Sequence, residues 1–278
     1  MAKIDKKLLI LGRIKYFFII QYKSLINLIF VSTKYILMIF SKNIKMADVI
    51  LNNHHLLSVI SRFEIKLGFG EKTVEEVCNV HGVNVDFFLE IVNTFNEPDY
   101  FPQNYLESFP LSLIIAYLKN THNYYLNLKM PEIYALIQKL LDESDKPISK
   151  ELKLISKFFI DYKIHLSQHI KREEEVVYPY ILKLELFYKS NENLTANEIK
   201  ELKDYAIERY VDEHENIEDS LYDLKSLIIK YLPPQENNVL CYKILGQLGH
   251  LEKDINDHSN MENRVLVPRV TLMEKMLK

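Results

Sequence analysis

Between Met46 and Phe63 the apolar residues Val49, Ile50, Leu56, Leu57 and Ile60 recur at helical spacing. Gly68 and Gly70 interrupt the pattern, and Thr73 followed by Glu76 forms a capping box for a short helix that Gly82 ends. Val85 to Phe95 reads as a further helix, so residues 46–95 are expected to form a small helical domain. Residues 96–110 contain Pro98, Pro102 and Pro110 and read as a linker, because proline disfavours helix at the residue before it. Four long helical patterns follow. The first runs from Leu111 to Asp142 with Pro131 as a kink, and the second follows Pro147 and reaches Tyr188. The third spans Thr195 to the Pro233-Pro234 pair, and the fourth spans Glu236 to Lys278 with Pro268 inside it. Short connections make consecutive helices antiparallel neighbours. The expected fold is all-α: an up-down-up-down four-helix bundle over residues 110–278, preceded by the small helical domain.

Residues 1–45 stand apart as an N-terminal extension. The stretch 8–40 is apolar but broken by Arg13, Lys15, Lys23 and Lys34, and its longest uncharged run, Ser24 to Thr33, has 10 residues. A membrane span needs roughly 20 predominantly apolar residues. The expected reading is a start site placed too far upstream, with Met38 as the true start; an anchor or signal peptide is the alternative, although no small-residue cleavage motif stands out.

Composition narrows the function classes. A net charge of −3, from 35 basic and 38 acidic residues, carries no basic excess for nucleic acid. The segment TVEEVCNVHGVNVDFFLEIV has the spacing of a helix-turn-helix, but its second helix carries Asp86 and Glu90 and no Arg or Lys, which argues against DNA contact. With 6 Gly and no Trp, the chain reads as long helices. Cys78 and Cys241 are far apart and form no CxxC, which implies a reducing, cytoplasmic setting without a disulfide framework.

The chemistry lies in the histidines. His122, His169, His214 and His258 each sit near the middle of one of the four long helices. In an antiparallel bundle these midpoints share one level, so four imidazoles can converge. Glu173 and Glu262 follow His169 and His258 by four residues, a separation that turns side chains by only roughly 40°. The two segments repeat one pattern: HIKREEEVVYPYI from His169 and HSNMENRVLVPRV from His258 both read H-x3-E-x2-V-x2-P. A lone histidine or a lone HxxxE pair is ordinary helix chemistry. Four level-matched histidines with a duplicated HxxxE point instead to a dinuclear centre, two histidines per metal and two bridging glutamates. That mixed nitrogen and oxygen set suits iron or manganese better than a closed zinc site.

Residues 110–278 resemble the hemerythrin-like di-iron family, and within it the repair-of-iron-centres (RIC) proteins, which repair damaged iron–sulfur clusters. Glu213-His214, the proline Pro131 after His122, and ENRVLVPR from Glu262 carry the resemblance, with Val267 where that signature has Phe. The resemblance implies a centre of two non-haem iron ions with His122, His169, His214 and His258 as ligands and Glu173 and Glu262 as bridges. It implies damaged iron–sulfur proteins as partners under oxidative or nitrosative stress, and O2 or NO as small ligands. Neither nucleic acid nor membrane is expected as a partner, and a homodimer is compatible with it. The alternative is a regulatory or sensor protein that binds O2 or NO. Oxygen-carrying hemerythrins have HxxxH on the third helix; here Glu218 takes that place, as an extra ligand or a solvated carboxylate. Residues 46–95 also resemble the small RIC N-terminal domain through MADVI, SRFEI and KTVEEVC, but Lys66 to Gly70 lacks its adjacent cysteines.

Overall fold

The computed structural model describes residues 38–97, 99–144, 148–190, 207, 215–233 and 238–276. Among the described residues there is no β-strand, only an isolated bridge between Lys45 and Thr73. The regular structure of the described residues is all helical, as the periodicity predicts. Among the described residues no helix is long and apolar enough to cross a membrane.

Helices α1 (Met46–Asn52), α2 (Leu56–Arg62), α3 (Val74–His81) and α4 (Val85–Asn96) form the N-terminal group. The capping box at α3 is present: Thr73 Oγ1 accepts from Glu76 N at 3.2 Å, and Glu76 accepts from Thr73 N at 2.8 Å. Gly82 ends α3 with φ +66°, a left-handed conformation that glycine adopts without strain. Asn84 caps α4 by accepting from Phe87 N at 2.9 Å.

After the short α5 (Gln103–Leu106) come α6 (Leu111–Tyr124), α7 (Met130–Glu143), α8 (Lys150–Arg172), α9 (Tyr178–Ser190), α10 (Glu215–Tyr231), α11 (Asn238–Met261) and α12 (Val267–Met276). Three π-helical turns join these into long rods: Tyr125–Lys129 between α6 and α7, Glu173–Val177 between α8 and α9, and Glu262–Leu266 between α11 and α12. Each turn ends two residues before a proline: Pro131, Pro179 and Pro268. Proline has no N–H and its ring crowds the carbonyl four residues back. The helix adapts the same way three times, with the residue before proline donating to the carbonyl five residues back: Met130 to Tyr125, Tyr178 to Glu173, and Val267 to Glu262. The kink expected at Pro131 is thus a π turn, the wider turn often found at functional sites.

In the bundle α7 packs on α8, α8 on α10, α10 on α11, and α11 on α7. The apolar interior falls into two clusters. One joins α2 to α4 with Leu111–Leu118 of α6, Val177–Leu184 around α9, and Met261–Val270. The other joins Tyr125–Leu140, Leu152–Ile170, Leu221–Ile228 and Leu240–Ile255. On each rod the change of cluster falls at one level: between Leu118 and Tyr125, between Ile170 and Val177, and between Ile255 and Met261.

Candidate metal centre

That level is where the expected ligands lie. His122, Glu173, His258 and Glu262 each place a donor atom so that all four atoms lie within 4.8 Å of one another. The side chains are 2%, 1%, 8% and 0% exposed, respectively, so the cluster is a polar layer sealed between two apolar ones. His122 Nε2 is 3.1 Å from His258 Nε2 and 3.1 Å from Glu173 Oε2. His169 Nε2 is 2.8 Å from Glu173 Oε1, and His258 Nε2 is 3.4 Å from Glu262 Oε2. Both HxxxE pairs therefore point inward. His122, His169, Glu173 and His258 line a small cavity of about 20 Å³.

The helix geometry that aims these side chains is repeated. Glu173 and Glu262 are the first residues of their π turns, six residues before the proline. On the first rod that position holds Tyr125. Tyr125 is buried, donates from Oη to the carbonyl of Asp254 at 2.9 Å, and sets its ring edge-on to His258 at 5.9 Å. Two rods thus supply a carboxylate at this position and the third an aromatic wall.

Burial works against charge on His122, but bonds to Glu173 and Glu174 outweigh it and raise its pKa to about 9. Two buried imidazoles facing each other through nitrogen, with buried carboxylates beside them, need a positive charge among them. Protons supply it in the bare site, and a cation with this donor set would supply it when bound. The residues present therefore fit a metal.

Other polar residues at helical spacing from the ligands have different surroundings. His165, four residues before His169, is exposed. Asp254 is buried, and its carboxylate pairs with Arg62. His250 meets His55, ring centroids 4.4 Å apart. His214, Glu213 and Tyr210 lie outside the described residues, as does the side chain of Glu218.

Three residues escaped the sequence reading. Glu174, one residue past Glu173, bonds Nδ1 of His122 at 2.9 Å. Tyr178 is fully buried, donates to Glu262 Oε1 at 2.7 Å, and lies parallel to the His122 ring at 5.7 Å. Burial, then Glu262 and Glu173, push its pKa well above the usual phenol value, so it remains a neutral donor. Arg62 of α2 reaches into the bundle to Asp254 and covers the ring of Tyr124 at 4.8 Å. The repeat shared by the second and fourth rods was a signal for Tyr178, which sits just before its proline. Nothing in the local pattern pointed to Arg62.

A helical bundle with imidazoles and carboxylates gathered into one sealed layer defines a class of metal-binding proteins. The hemerythrin HHE cation-binding domain matches residues 113–270, more than half of the 278-residue chain, and the chain belongs to that family. No curated protein matches it.

Proposed function

We propose that this chain is a di-iron protein that repairs iron–sulfur clusters damaged by oxidative or nitrosative stress, as the RIC proteins do. In this reading His122, His169, His214 and His258 hold two irons, and Glu173 and Glu262 bridge them. The observation that carries it is the convergence of His122, Glu173, His258 and Glu262 within 4.8 Å in a sealed layer. Carboxylate oxygens next to imidazole nitrogens suit iron, which would supply redox chemistry and an open position for a small ligand. The chain's own residues do the rest. Glu174 fixes the tautomer of His122 by taking Nδ1, leaving Nε2 for metal. Tyr178 holds one oxygen of Glu262, and the apolar clusters on both sides exclude water. The partners in this proposal are damaged iron–sulfur proteins in the cytoplasm, with O2 or NO as small ligands.

Metal analysis of anaerobically prepared protein, paired with a repair assay, tests it. Two irons per chain and restored activity of an enzyme whose cluster has been damaged by peroxide or NO are expected. Folded, iron-replete protein holding one iron per chain would sink the dinuclear reading. Reversible gas binding with no restoration would favour the alternative, an O2 or NO sensor. One feature favours that alternative: Arg62 ties the N-terminal helices to Asp254, four residues before His258, which offers a path for a signal.

A further inference from the structure

We propose that His55 and His250 form a second site for a divalent transition metal, separate from the bundle centre and facing solvent where the N-terminal helices meet α11. The two residues come from distant parts of the chain: His55 immediately precedes α2, and His250 lies mid-way along α11. Their ring centroids are 4.4 Å apart with planes at 64°. The pair in the candidate centre, His122 and His258, has centroids 4.8 Å apart with planes at 48°. The outer pair thus has nearly the spacing of two imidazoles whose nitrogens already converge.

The surroundings decide what such a site would hold. His55 and His250 line a cavity of about 330 Å³ together with Asp254, Lys129 and Lys253. An anion would need free donors, and the two lysines are already engaged. Lys129 Nζ bonds Glu132 at 3.2 Å and also Gln247. Lys253 Nζ bonds Asp257 at 2.7 Å and the carbonyl of Phe95 at 3.3 Å. What remains uncommitted is acceptor in character. Among the described residues neither imidazole has a hydrogen-bond partner. Asp254 is only 4% exposed; it gives one oxygen to Arg62 and leaves Oδ1 without a partner. Asp254 follows His250 by four residues, the same spacing as in both HxxxE pairs, so the two share a helix face. Two imidazoles, with water completing the coordination, are a ligand set for zinc, cobalt, nickel or copper ions. Burial, and then the positive potential of His55, lower the His250 pKa, which keeps its lone pair available at neutral pH.

Along α11 and into the π turn that follows it, His250, Asp254, His258 and Glu262 recur at four-residue intervals. Eight residues separate His250 from His258, about 12 Å along the helix axis. The outer site is therefore close to the bundle centre but shares no ligand with it.

Titration of the full-length, iron-loaded protein with Co2+, followed by calorimetry and visible absorption, tests the site. Wild type should bind one more Co2+ per chain than the His55→Ala/His250→Ala double variant. The extra equivalent should give cobalt bands that both single variants, and the milder His55→Gln, weaken or abolish. His165→Ala, which removes an exposed histidine on α8, should leave it intact. Equal Co2+ binding by wild type and the double variant would overturn the proposal, as would loss of the extra equivalent in His165→Ala. The measurement is a difference between variants, so it stands whether or not the bundle itself holds two irons.

Discussion

Glu174 Oε1 lies 2.9 Å from Nδ1 of His122, so this carboxylate grips the back of an imidazole whose Nε2 faces the candidate centre. Such a bond fixes the tautomer and raises the basicity of a metal-bound histidine, and its loss typically costs about 10–100-fold in metal affinity. Glu174→Ala should therefore weaken metal binding by about that factor. Glu175→Ala should not, because that side chain is 64% exposed and stands 3.9 Å from Lys171. Competition with a chelator of known affinity measures both, and equal affinities for wild type and Glu174→Ala would show that the bond contributes nothing.

Glu174 shows what a helical wheel leaves out. A rotation of roughly 100° from Glu173 takes a side chain off the ligand face, but it points it along the flank, toward a neighbouring helix. That flank here meets α6 and the back of His122. The ligand pairs themselves were legible because HxxxE occurs twice in the same setting, with the proline at the same distance. The prolines lie just past the three π turns among the described residues, although those turns depend on backbone bonding that no residue pattern states. The capping box at Thr73 was legible because it is local. Arg62 was not: its partner is 192 positions away, and a lone arginine at a helix end reads as a solvated charge. His55 and His250 were missed as a pair for the same reason, since only the packing of α2 against the bundle brings them together.

Glu173 and Glu262 are predicted to be needed for any coupled pair of irons. Both are buried, and removing one leaves excess positive charge between two cations in a medium where charges interact strongly. Glu173→Ala and Glu262→Ala should each lose magnetic coupling and bind fewer metal ions per chain. Mössbauer spectra of the two variants would check this; intact coupling in Glu173→Ala would rule it out as a bridge.

Arg62 and Asp254 are a buried ion pair that joins α2 to α11. Removing one member of such a pair leaves an uncompensated charge, at a cost of about 3–5 kcal/mol, whereas replacing both by apolar residues of similar size is often close to neutral. Arg62→Ala should lower unfolding stability by about that amount, and Arg62→Met with Asp254→Leu should recover most of it. Urea unfolding of the set would decide, and additive losses in the double variant would show that the two side chains do not act as a pair.

The start of α6 gives a pH-dependent prediction. Pro110 precedes the helix and has no side-chain acceptor, so the first amides are capped from outside: Glu185 of α9 accepts from Leu111 N at 2.8 Å and from Ser112 N at 3.1 Å. Burial tends to raise the Glu185 pKa, but Lys189 and the two amides outweigh it and hold the carboxyl below its ordinary value of 4.5. A carboxyl depressed in the folded state contributes stability that is full above 4.5 and is lost as pH falls through the lower folded value. Glu185→Gln, which keeps the shape but not the charge, should be less stable than wild type at pH 7, by about 0.5–2 kcal/mol on the scale of capping losses. The gap should stay constant from pH 6 to 8, about where the carboxyl is fully ionised in both states, and close on acidification below the ordinary carboxyl value. Urea unfolding of both proteins across this range checks it. A gap that persists unchanged in acid would mean that Glu185 acts through packing rather than through its charge.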